Sequence, residues 1–178
     1  MDVLSARSYP LEKRFAISLA RTYIKRSTSS SSNFWRRQLA MLAIPVSFME
    51  GMALNYAFDI DSVQYSRLLD MARNKRLYSL RDLETLTSQP LYKKEEMLFQ
   101  VQAMFAFWQS KYRSNADIDL MISIVRKPTG FTNAFKKNYG VTLNEAFAAF
   151  KEEMESLSID KHDSKDNDFI DVNYNGNK

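Results

Sequence analysis

Glu50 is the residue in this chain whose setting calls for chemistry. It stands in Pro45-Val46-Ser47-Phe48-Met49-Glu50-Gly51-Met52-Ala53, an apolar run with helical spacing. Phe48, Met49, Met52, Leu54 and Phe58 predict a buried face over two turns. A carboxylate among them needs a partner, because an unpaired buried charge is costly. Three roles are open to it: an ion pair or hydrogen-bonded carboxylate, an exposed side chain, or a metal ligand. The other candidates are weaker. Asp59 and Asp61 are too closely spaced for a calcium loop. Glu95-Glu96 and Glu152-Glu153 read as solvated surface pairs rather than an acid/base couple. His162, the only histidine, lies in a polar C-terminal stretch, so the serines lack the usual general base. The four glycines are scattered and form no phosphate-gripping loop. With no cysteine there is no disulfide framework and no thiolate metal site.

The elements that must position Glu50 read as helices almost throughout. Pro10 suits a first helical turn, and Leu11 to Arg26 carries Leu11, Phe15, Ile17, Leu19 and Tyr23 at helical spacing. Ser27 to Ser32 reads as a linker. Asn33 caps a helix through Trp35, Leu39, Leu42 and Ile44, and Pro45 restarts the chain into the Glu50 helix, which ends near Asp59. Asp61 or Ser62 opens the next helix, through Tyr65, Leu68, Leu69 and Met71. Ser79-Leu80-Arg81-Asp82 has capping-box spacing and starts a short helix to Leu86. Leu91 to Arg113 is the longest helix, with Leu98, Val101, Met104, Phe105 and Trp108 on a broad stripe and Ala103 and Ala106 open to a close neighbour. Asn115 starts a helix with Ile118, Met121, Ile122 and Val125 inward, broken at Lys127-Pro128. Thr129 to Tyr139 ends at Gly140, a predicted left-handed stop. Thr142-Leu143-Asn144-Glu145 opens the last helix, through Phe147, Phe150 and Met154. The expected fold is an irregular, mainly all-α multi-helix domain over residues 1–157. A single strand at Asp2 to Ser8 and a disordered polar tail over 158–178 complete the expectation.

The 178 residues, 45% hydrophobic and 13% aromatic, suit one folded domain rather than a disordered chain. No run approaches the about 18 apolar residues of a membrane span. Met1 to Pro10 lacks the apolar core of a signal peptide, so the chain as written reads as soluble. The net charge of +4 is uneven, with +6 up to Arg76 and −2 beyond Leu157. Arg14, Arg21, Lys25, Arg26, Arg36, Arg37, Arg73, Lys75 and Arg76 make the first part basic. A solvated face is the plain reading, and weak binding to an anionic surface or nucleic acid is the alternative.

In this order the features resemble the C-terminal, helical part of the gluzincin (peptidase MA-like) metallopeptidases. There, a helix bearing His-Glu-x-x-His supplies two zinc ligands and the general base. A second helix, Pro-x-Trp-x-x-Glu-Gly-x-Ala, supplies the third ligand from its glutamate. Pro45, Glu50, Gly51 and Ala53 hold the second pattern, with Ser47 in the tryptophan's place. Leu80 to Leu86, Leu98 to Tyr112, Ile118 to Val125 and Gly140 to Phe147 follow the family's later order, so the resemblance covers about Ala16 to Met154. The His-Glu-x-x-His window falls on Ile17-Ser18-Leu19-Ala20-Arg21. Ile17 and Arg21 fill the histidine places and Ser18 the glutamate's.

Two zinc ligands and the general base are therefore missing from the pattern. The resemblance implies a degenerate site at Glu50, Arg21, Ser18 and Ile17, with no metal, no cofactor and no catalysis. Arg21 is expected to pair with Glu50 and neutralise the orphaned carboxylate. The family's β-sheet lobe has no counterpart in the few residues before Ile17, which leaves it lost or supplied by another chain. The expected function is a non-catalytic protein-protein interaction module. The alternatives are a fragment of a zinc metallopeptidase-like protein without autonomous activity, and the weak anionic-surface binder.

Overall fold

The computed structural model describes residues 16–22, 44–112, 116–126 and 130–167. Residues 16–22 are helical. After them come α1 (Val46–Ala57), α2 (Ser62–Arg73), α3 (Leu80–Glu84), a 3-10 turn (Leu86–Ser88), α4 (Leu91–Lys111), α5 (Ala116–Arg126), α6 (Phe131–Tyr139) and α7 (Leu143–Asn167). No strand occurs among the described residues, and the fold is all-α.

Local chemistry sets most of these boundaries. Pro45 and Pro90 stand just before α1 and α4, where a missing N–H removes nothing a helix needs. The Asp61 carboxylate accepts from the Gln64 N–H at 2.8 Å while Gln64 Oε1 accepts from the Asp61 N–H, a reciprocal capping box. Ser79 and Asp82 repeat the device at α3, and Thr142 and Glu145 at α7. In both boxes the bonds from the cap hold the carboxyl below its ordinary range. Gly140 closes α6 at φ 78°, a left-handed turn that a side chain would strain.

The core forms around α4. From Met97 to Phe105 only Phe99 is not buried, so the middle of this helix is enclosed on all sides. Gln100 and Gln102 are polar yet fully enclosed. Each serves backbone groups that would otherwise lack partners. Gln100 Oε1 accepts from the Tyr78 N–H and its Nε2 donates to the Tyr78 carbonyl, both at 2.8 Å. Gln102 Nε2 donates to the Phe58 carbonyl, just past the end of α1, at 2.9 Å. Trp108 collects the aromatic side of the core. Phe48 stacks on it, and Phe105, Phe135 and Tyr139 meet it edge-on. Its Nε1 donates to the Ala146 carbonyl at 3.0 Å and ties α4 to α7. Arg73, at the end of α2, donates to the Ser158 carbonyl at 3.0 Å.

Two differences from the sequence reading have physical causes. The expected tail begins at Ser158, but α7 continues to Asn167. No glycine or proline occurs between Val141 and Asn175 to stop it, and Ser158 itself is buried. The inward face of α5 is Ala116, Leu120, Met121 and Ile124, while Ile122 is only half-buried. A short helix clamped between neighbours is set by its packing rather than by its most apolar stripe; the side chains of Ile118 and Val125 lie outside the described residues. A close helix approach also falls at Gly51, against Val101 of α4. The strand at Asp2 to Ser8, the linker at Ser27 to Ser32 and the helix from Asn33 through Leu42 lie outside the described residues.

Candidate functional site

Residues 16–22 bury Ile17 and Ala20 and leave Ser18, Leu19 and Thr22 exposed. Arg21, one turn after Ile17, then lies at the margin of the buried side. On α1, Phe48 and Met52 enter the core, while Glu50 sits between them in sequence and at the margin in space. The two margins meet. Arg21 Nε donates to Glu50 Oε2 at 3.1 Å, and Nη2 of the same guanidinium donates to the same oxygen. The side chains are 22% and 13% exposed, so the pair is half-enclosed and little screened by water. The expected partner of Glu50 is thus in place, and the carboxylate is neutralised by an arginine.

The other two candidate residues are not brought to this pair as functional groups. Ile17 is part of the hydrophobic core. Ser18 faces outward, and its carbonyl accepts from Thr22 Oγ1 at 2.8 Å. Ser47, in the tryptophan's place of the resemblance, is buried, with no partner for its Oγ among the described residues. No group of three His, Cys, Asp or Glu side chains that could hold a metal occurs among the described residues. What this arrangement can do chemically is fix one helix against another and keep the carboxylate occupied by the guanidinium.

Gly51 explains why the run around Glu50 is spaced as it is. A Cβ on Gly51 would stand 2.7 Å from Val101 Cβ and 3.1 Å from the Val101 carbonyl carbon. The glycine lets α1 lie directly on α4. The sequence reading passed over Gln100 and Gln102. Their signal was legible: two amides flanking Val101 in the middle of an apolar stripe must be spending their hydrogen bonds inside.

Between α2 and α4 lies a shallow surface depression, lined by Gln64, Arg67, Leu68, Met71, Glu96 and Phe99. No helix among the described residues is long and apolar enough to cross a membrane. No protein-family model, no curated protein and no solved structure matches the chain.

Proposed function

We propose that this chain is a non-catalytic, degenerate metallopeptidase-like helical domain that acts by binding another protein. The observation that carries the reading is the Arg21–Glu50 pair. In the gluzincin pattern the second histidine and the glutamate of the following helix converge on one ion. Here Arg21 occupies that histidine's place and Glu50 the glutamate's, and the two side chains meet. That these two positions face each other supports the reading. An arginine that satisfies the orphaned carboxylate keeps the helices docked without a metal. With Ser18 in the place of the general base, no group stands there to activate a water.

The experiment rebuilds the ligand set. Ile17→His and Arg21→His together with Glu50 would restore two histidines and a carboxylate, the donor set of a catalytic zinc site. The double variant is expected to bind Zn²⁺ in calorimetry and to melt at a higher temperature with the metal than without it. The unaltered chain is expected to show neither effect and no zinc-dependent peptide hydrolysis. A folded double variant indifferent to zinc would remove the peptidase-like reading, and hydrolysis by the unaltered chain would remove the non-catalytic one.

A further inference from the structure

One end of the molecule gathers positive charge around exposed apolar side chains. The stretch from Arg73 to Lys94 holds six basic and two acidic residues. The fold draws its parts together. Gln100 clamps the Tyr78 peptide against α4, and the Tyr78 hydroxyl donates to Glu96 Oε2 at 2.8 Å. Arg76 and Tyr92 both lie near enough to Tyr78 to act on it electrostatically, and Arg81 and Lys93 both act on Asp82. Arg76, Arg81, Lys93 and the first turn of α4 therefore share one end of the domain.

Two of the four carboxylates here, Asp82 and Glu96 but not Glu84 or Glu95, are bonded to other groups among the described residues. Asp82 is held in the Ser79 capping box, and Glu96 accepts from Tyr78. Burial and the Glu96 bond push the Tyr78 hydroxyl up to about 12. Arg76 and Arg81 are exposed, and Lys93 and Lys94 half-buried. Leu91 and Tyr92 project beside them, 52% and 63% exposed, where a helix that is enclosed further on begins.

We infer that this end, with Leu91 and Tyr92 at its tip and Arg76, Arg81, Lys93 and Lys94 around them, docks on an anionic lipid surface. The cations match acidic headgroups, and a tyrosine suits the interfacial region of a bilayer. Leu91 decides between lipid and nucleic acid. A tyrosine can stack on a base, whereas an exposed leucine gains by burial among acyl chains and gains little from a base or a phosphate. The inference is independent of the Arg21–Glu50 reading, which concerns another part of the chain.

The test is flotation of the full chain with vesicles of phosphatidylcholine alone, or of equal parts phosphatidylcholine and phosphatidylserine. Binding to the second and not the first is expected, weakening about fivefold for each of Arg81→Gln, Lys93→Gln and Lys94→Gln. Leu91→Ser and Tyr92→Ser are expected to weaken it at unchanged charge and with an unchanged melting curve. Failure to float with phosphatidylserine vesicles at low salt overturns the inference. So does binding that Leu91→Ser and Tyr92→Ser leave intact, and so does a single-stranded oligonucleotide that displaces the chain from the vesicles.

Discussion

Gly51 has two opposing effects acting on it. In an exposed helix, replacing glycine by alanine stabilises by about 1 kcal/mol, because glycine gives up more backbone entropy on folding. At Gly51 the added methyl would overlap Val101, with both Val101 Cβ and a backbone carbon within contact range. Backbone cannot swing aside as a side-chain tip can, and overpacking in a closed core costs about 1–3 kcal/mol. The clash wins. Gly51→Ala is expected to lower stability by about 2 kcal/mol in urea unfolding. Adding Val101→Ala should recover only part, since Val101 Cβ and its carbonyl carbon remain. A more stable Gly51→Ala would show that α1 and α4 are not pressed together here. At this scale Glu50 was readable from the sequence, because a carboxylate in an apolar run demands a partner and Arg21 was the cation at helical register with Ile17. Ile17 was named for the site only by its place in the family pattern, and its apolar spacing on the helix pointed to the core. A position that matches a ligand's place in a pattern is still an isoleucine, and it went to the core.

Among elements, what local chemistry decides was legible and what packing decides was not. The boxes at Ser79 and Thr142, the stop at Gly140 and the stripe of α4 follow from residue types a few positions apart, and all four are present. The inward face of α5 depends on partners distant in sequence: Met121 is inward as read, while Ile122 is only half-buried, and α7 runs on past Ser158. Gln100 and Gln102 show how far context separates two identical residues on one helix. Both are fully buried. Gln100 serves the N–H and the carbonyl of Tyr78, whereas Gln102 serves one carbonyl and its Oε1 has no partner among the described residues. Leucine at position 100 strands two backbone groups, at about 1–3 kcal/mol for each that water cannot reach. Leucine at position 102 strands one and removes an unsatisfied oxygen. Gln100→Leu is therefore expected to lose about 3 kcal/mol and Gln102→Leu about 1 kcal/mol or less. Equal losses in the same unfolding assay would mean that the Tyr78 clamp adds nothing beyond filling space.

For the whole molecule the question is how residues 16–22 belong to the rest. Ile17 and Ala20 join the same core that runs through Met154, which predicts a single cooperative transition. The Arg21–Glu50 pair is the polar part of that attachment. Reversing one charge places like charges together at a half-enclosed site, so Arg21→Glu and Glu50→Arg are each expected to lower stability by about 2 kcal/mol. This is less than for a fully buried pair, because both side chains keep some contact with water. The exchanged pair, Arg21→Glu with Glu50→Arg, restores attraction at nearly the same geometry. It should regain most of the combined loss, as a coupling energy of about 2 kcal/mol. Additive losses would sink the pairing as a structural contact. The shape of the curves carries separate information. If the single variants shift one sharp transition, residues 16–22 are integral to the fold. If they split off an early phase while the main melt stays put, the segment is an attachment to a body that folds without it. The degenerate peptidase-like reading requires the first outcome, since it takes residues 16–22 to stand where a ligand-bearing helix would be built into the core.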